Sequence, residues 1–255
     1  MRKKVVNKNF FNVPIAHRGL HGNGVAENSM KAFELAISNN LAIEIDIYRL
    51  LDGKFAVFHD PSLKRMTGED VQISSLSSSE LQKYSLFDGQ KIPLLEDVLN
   101  LINGKVPLLI ELKPEDNFKK SDLPALFEIL DEYNHYDMVA LQCFNPFSIL
   151  SVKKLKPNVF AGVLSSFKLK NLKGLKLYVA KSLMLLKFVN ADFISYDITY
   201  LPNKFVAKKK KKGYPLLSWV VKTEEELKTA EGFVNNIIFE NLEIAQKYLE
   251  YHKEK

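Results

Sequence analysis

Two histidines and three carboxylates, His17, Glu44, Asp46, His59 and Glu111, each stand within or at the end of a short apolar run in the first half of the chain. Placing a polar group at the end of an apolar strand costs free energy unless something uses it. Together the five make a kit for metal-assisted phosphodiester cleavage, in which carboxylates hold a hard cation and imidazoles move protons. Glu44 and Asp46 are two apart, so on a strand both point to one face, and Glu111 and Lys113 repeat that spacing. Three carboxylates without a clustered cysteine or histidine describe an oxygen-rich site. One divalent cation, Mg²⁺ or Ca²⁺, fits it better than zinc or copper.

With one imidazole neutral and the other protonated, His17 and His59 can deprotonate a nucleophile and protonate a leaving oxygen. Arg18 and Lys113 then supply phosphate contacts, Arg18 through its fork and Lys113 as a point charge. The bland alternative makes His17 and His59 hydrogen-bonded core residues. It also pairs Glu111 with Lys113 and turns Glu44 and Asp46 to solvent, which strains four charges set in two apolar runs. His21, in a glycine-rich loop, and His135 and His252, in polar helix-end contexts, carry less weight.

Positioning these residues requires an alternating fold. Apolar runs at 13–17, 42–48, 54–59, 107–112, 138–143, 159–164, 192–196, 214–220 and 235–239 read as strands. Their mostly continuous Val/Ile/Leu/Phe character suits a parallel sheet buried on both faces. Helices are expected from about residue 30, capped by Asn28 or Ser29, and over 76–84, 95–102, 121–133, 146–155, 224–231 and 241–252. Asp52-Gly53 between the second and third runs signals a tight reversal, so these two form a hairpin. Counting it as one position leaves eight, the expectation for an α/β fold of the (β/α)8 TIM-barrel type, whose sites lie at the carboxyl ends of the strands. The stretch 60–105 reads as a small helical insertion over the barrel mouth. No linker or repeat divides the chain, so 1–255 reads as a single domain.

The 255 residues, 46% hydrophobic, suffice for a large core. A single cysteine, Cys143, excludes an intramolecular disulfide and favours a cytoplasmic setting. The start is basic but has no uninterrupted apolar stretch, unlike a secretion signal. The greasiest segment, Leu175 to Val189, is interrupted by lysines and too short to span a bilayer. The chain is therefore expected to be soluble. The formal charge of +6 suits anionic partners, including weak association with anionic lipid surfaces. Much of the excess is the run Lys208 to Lys212, which reads as a solvated helix end before Gly213. It has no interleaved aromatic or arginine, so nucleic acid is not expected as a partner.

A longer ordered series runs through the chain: His17-Arg18-Gly19, Glu27-Asn28-Ser29, Glu44-Ile45-Asp46, Asp52-Gly53, His59-Asp60, Arg65-Met66-Thr67, Ile92-Pro93-Leu94-Leu95-Glu96 and Glu111-Leu112-Lys113. It continues more weakly through Gln142-Cys143-Phe144 and Ser218-Trp219-Val220-Val221. This series resembles the glycerophosphodiester phosphodiesterase family. The resemblance implies a TIM-type barrel that hydrolyses small-molecule glycerophosphodiesters to glycerol 3-phosphate and an alcohol with a divalent metal. By matching position, Glu44, Asp46 and Glu111 are the metal ligands, His17 and His59 the acid–base pair, and Arg18 and Lys113 the phosphate contacts. The resemblance also implies that Trp219 lines the substrate pocket, against its bland reading as a core aromatic on a barrel strand, and that the neighbouring glycerol hydroxyl attacks first to give a cyclic phosphate that water opens. Ala26, Cys143 and Glu240-Asn241 depart from the family's usual proline, serine and T-D. Two other readings compete: a lysophospholipase D-like phosphodiesterase on lysophospholipids, and a non-catalytic barrel that binds phosphate compounds or nucleic acid.

Overall fold

Strand and helix alternate along the folded chain much as the periodicity requires. The computed structural model describes residues 9–113, 119–169 and 172–253; residues 1–8, most of the basic start read above, lie outside them. The strands are β1 (Ile15–Ala16), β2 (Ala42–Arg49), β3 (Phe55–Val57), β4 (Leu108–Leu112), β5 (Val139–Cys143), β6 (Phe160–Ser165), β7 (Phe193–Asp197), β8 (Leu216–Val221) and β9 (Asn236–Phe239). The helices are α1 (Asn9–Asn12), α2 (Met30–Ser38), α3 (Lys64–Thr67), α4 (Ser78–Leu81), α5 (Leu95–Ile102), α6 (Leu123–Tyr133), α7 (Pro146–Leu155), α8 (Gly174–Lys181), α9 (Lys204–Lys210), α10 (Glu224–Ala230) and α11 (Leu242–Lys253).

The sheet order is β1-β9-β8-β7-β6-β5-β4-β2-β3, with β1 also paired to β2. That is the strand order of a (β/α)8 barrel in which β3 is an antiparallel addition to β2. All nine expected strands form, with shifted ends. β1 has only two residues, so His17 stands in the turn after it, and β3 stops at Val57, so His59 follows rather than ends it. Helix 76–84 shrinks to α4, because serines 77–79 are weak helix formers whose hydroxyls compete for backbone groups. α8 was not expected: it buries none of its residues, so it leaves no apolar stripe to read.

The described chain comprises two compact units, Ala16–Val139 and a second made of Ala140–Lys255 with the segment up to Ile15. In the first, β2 runs parallel to β4, with Glu44 opposite Leu109 and Asp46 opposite Glu111. Alternation along β2 sends Ile43, Ile45 and Ile47 to one face and Glu44, Asp46 and Tyr48 to the other. The hairpin pairs Ile47 with Val57 and Arg49 with Phe55. Its turn is tied to α4 by Asp52 Oδ2, which accepts from Ser78 N at 2.9 Å and Ser78 Oγ at 2.6 Å. The elements after the hairpin pack Leu63, Met66, Ile73, Leu81 and Ile92 against Tyr48, Leu50 and Phe58.

In the second unit β5 to β9 form a parallel ladder. Gly162 on β6 lies opposite Phe193 on β7, whose ring stacks on Phe160 with centroids 5.0 Å apart. The buried amide of Asn236 on β9 donates to the carbonyls of Phe10 and Val13 at 2.6 and 2.7 Å. The lysine run closes α9, with Gly213 in the left-handed region two residues past its cap Lys211.

Candidate active site

Strand geometry collects the carboxylates. Glu44 and Asp46 share a face of β2, and parallel register sets Glu111 of β4 beside Asp46. Relative exposures of 1%, 1% and 6% leave all three nearly dry, so neither Glu44 nor Asp46 faces solvent. Each offers an oxygen within 4.8 Å of the others. Lys113, just beyond β4, places its Nζ 2.8 Å from Asp46 Oδ1 and 2.6 Å from Glu111 Oε1.

The His17-Arg18-Gly19 turn supplies the next layer. Arg18 has φ 56°, and its backbone N–H donates to Glu44 Oε2 at 3.1 Å. Its Nε lies 3.4 Å from Asp46 Oδ2. Gly19 is required by two facts: its φ is +79°, and a Cβ there would lie 2.9 Å from the side chains of Ala32 and Phe33 on α2. Asn28, also left-handed, donates from Nδ2 to Asp46 Oδ2 at 3.0 Å and from its backbone N to the Arg18 carbonyl at 2.9 Å. Ser29 caps α2, its hydroxyl accepting from Ala32 N, which places the Glu27-Asn28-Ser29 segment beside this turn.

Electrostatics follow from this crowding. Burial, with the neighbouring charges of Asp46 and Glu111, pushes Glu44 well above the usual carboxylate range, and burial also raises Glu111. Burial alone would raise Asp46 too, but Lys113, His59 and Arg18 hold it well below that range. Lys113 is desolvated yet kept firmly charged by Asp46 and Glu111. Three buried oxygens at this spacing, two of them on carboxyls driven toward their protonated forms, are a donor set that suits a hard divalent cation.

His17 is partly buried, and its ring offers a nitrogen within 4.8 Å of one from His21 in the glycine-rich loop. His59 carries Nδ1 2.6 Å from Asp60 Oδ1, and Tyr48 Oη donates to the His59 carbonyl at 3.1 Å. Burial lowers the His59 pKa, and Asp60 is held ionised by its bonds to Arg65 and His59. An ionised carboxylate only accepts, so His59 Nδ1 carries the proton and Nε2 presents its lone pair. In the other unit, Trp219 on β8 packs edge-on against Phe144 at 5.7 Å, and its buried indole N–H has no hydrogen-bond partner among the described residues. The ordered series in the sequence contained Glu27, Asn28, Asp60 and Arg65 without assigning them work; Tyr48 gave no signal there beyond its place in an apolar strand.

The model of the glycerophosphoryl diester phosphodiesterase family matches residues 17–241. A glycerophosphodiester phosphodiesterase of Caldanaerobacter subterraneus subsp. tengcongensis is 29% identical over 222 residues, covering 84% of this chain and 87% of that protein. A human lysophospholipase D is 31% identical over 147 residues, 52% of this chain and 44% of its own. The fold matches an Oleispira antarctica phosphodiesterase solved with the product sn-glycerol-3-phosphate, at TM-score 0.80 and 23% identity over 98% of this chain and 99% of that one. A match that begins at His17 and takes in both histidines, all three carboxylates, Arg18, Lys113 and Trp219 leaves one conclusion: the chain belongs to the glycerophosphoryl diester phosphodiesterase family, a family of phosphoric diester hydrolases.

Proposed function

We propose that this chain hydrolyses glycerophosphodiesters to glycerol 3-phosphate and an alcohol, with one divalent cation, Mg²⁺ or Ca²⁺, held by Glu44, Asp46 and Glu111. The observation that carries this reading is the trio of buried carboxylates brought within 4.8 Å of one another by the β2–β4 register. A cation there would supply charge neutralisation for a phosphoryl oxygen. Arg18 and Lys113 add fixed positive charge toward the same group. The buried, unpaired indole N–H supports Trp219 as a substrate contact.

In this reading a free glycerol hydroxyl attacks phosphorus. Neutral His59, with Nδ1 committed to Asp60, accepts the hydroxyl proton at Nε2, and protonated His17 donates to the departing alcohol oxygen. A cyclic phosphate results. Water then opens it: His17, now neutral, takes the water proton, and His59 returns its proton to the glycerol oxygen, which restores both imidazoles. The test is release of glycerol 3-phosphate from glycerophosphocholine by purified protein. EDTA should abolish it and Mg²⁺ or Ca²⁺ restore it, and His17→Ala and His59→Ala should each lower kcat about 10²–10⁴-fold. Full activity in both variants would overturn the acid–base assignment.

A second reading, lysophospholipids as substrates, is favoured by a feature of the surface that the sequence did not suggest. Leu175, Tyr178, Met184 and Phe188 are 76%, 48%, 57% and 63% exposed, and Lys173, Lys176 and Lys187 are exposed beside them in the sequence. Large apolar side chains among lysines suit an anionic lipid surface. Rates on water-soluble diesters against lysolipid micelles distinguish the two substrates.

A further inference from the structure

Between Arg18 and His59 runs an unbroken path of charge-assisted hydrogen bonds. Asp60 accepts His59 Nδ1 on Oδ1 at 2.6 Å and Arg65 Nε on Oδ2 at 2.5 Å. Arg65 then grips Glu27 with both terminal nitrogens, Nη2 to Oε1 at 2.6 Å and Nη1 to Oε2 at 3.0 Å. Glu27 Oε1 also accepts from Arg18 Nη1 at 2.7 Å. One carboxylate thus holds two guanidiniums, and one guanidinium holds two carboxylates. We propose that Glu27 and Arg65 are positioning residues, which fix Arg18 toward the phosphate and hold the Asp60–His59 pair in its working orientation.

The local structure is built to present them. Arg65 lies on the single turn α3, whose neighbours Leu63 and Met66 are buried at 0% and 4% and pin the turn, while Arg65 itself stays 47% exposed. A half-exposed arginine contributes little to stability through ion pairs, whereas a bidentate fork sets geometry. Glu27 has only 12% of its side chain exposed. Without Arg65, Asp60 keeps one partner and is free to rotate toward water, and the imidazole loses its fixed tautomer. Without the Glu27 carboxylate, Arg18 loses its 2.7 Å anchor as well.

The inference rests on His59 acting in proton transfer, and the experiment separates the two claims. Arg65→Ala should lower kcat on glycerophosphocholine about 10- to 100-fold, the scale of a misplaced catalytic group, with KM changed less than about twofold because Arg18 keeps Glu27. Glu27→Gln should lower kcat and also raise KM. Arg65→Lys, which restores charge without the fork, should recover part of the loss. As a readout independent of turnover, the imidazole ¹⁵N spectrum should show His59 as the Nδ1–H tautomer in the wild type and as a mixture in Arg65→Ala. If His59→Ala is inactive while Arg65→Ala keeps wild-type kcat and tautomer, the positioning role is overturned and the His59 reading stands. If His59→Ala is fully active, both fall. Should Arg65→Ala not fold, Arg65→Gln serves for the same measurements.

Discussion

Glu44 shows most directly how a functional residue is held against the preference of the fold. Burial beside Asp46 and Glu111 pushes its pKa well above the ordinary value of 4.5. The native state therefore keeps a proton that the unfolded chain has released, so stability falls as pH rises from about 4.5 through the raised native value. The penalty is therefore larger at pH 8 than at pH 5. Glu44→Gln should consequently raise the melting temperature of EDTA-treated protein at pH 8 by a few degrees, since about 1 kcal/mol moves a protein of this size by roughly 2–4 °C. At pH 5 the gain should shrink. Added Mg²⁺ or Ca²⁺, expected to stabilise the wild type, should do less for the variant. An equal gain at both pH values would show that Glu44 carries no buried-charge penalty, and undiminished stabilisation by metal would show that it is not a ligand. The residue types of this cluster were legible because acids two apart in an apolar strand have few structural uses. The roles of Glu27 and Arg65 were not, since their bonds join residues 38 apart in the sequence and spacing carries no sign of that.

Elements were legible where a period survives and illegible where tertiary contact decides. β2 and β4 declare themselves by continuous apolar character, and α5 and α7 begin and end where expected because their apolar faces are buried. β1 shrinks and α8 emerges for the opposite reason: neither outcome is written in a local pattern. Gly162 is a case where the element depends on an absence. A Cβ there would lie 2.4 Å from the Phe193 ring, which is stacked on Phe160. Gly162→Ala should therefore cost about 1–3 kcal/mol, the range for overpacking a core, seen as a lower midpoint in urea. Phe193→Leu in the same chain should recover part of it by vacating the space. A Gly162→Ala protein as stable as wild type would mean that β6 and β7 accommodate the methyl by shifting. The carboxylates sit on other strands, so kcat should change little in either variant.

At the scale of the whole molecule, charge and exposed apolar surface bear on where the enzyme meets its substrate. The chain carries a formal +6, and no helix among the described residues is long and apolar enough to cross a membrane. Leu175, Tyr178, Met184 and Phe188 nevertheless stand exposed on α8 and the turns after it. Apolar insertion and lysine attraction are individually weak and act together, each basic residue near an anionic surface being worth about 1 kcal/mol. The protein should therefore sediment with phosphatidylglycerol vesicles but not with phosphatidylcholine vesicles, and the bound fraction should fall as salt rises, because charges separated by more than about 10 Å are screened at 0.1 M. Leu175→Ser with Phe188→Ser should abolish this sedimentation and slow turnover of lysolipid micelles, while glycerophosphocholine hydrolysis stays unchanged. Neutralising Lys208 to Lys212 is the opposing arm. If that change alone removes vesicle binding and the serine pair does not, general basicity accounts for the attraction, and Leu175 and Phe188 play no part in it. If no vesicle binds at any salt concentration, soluble diesters are left as the substrates this surface can meet.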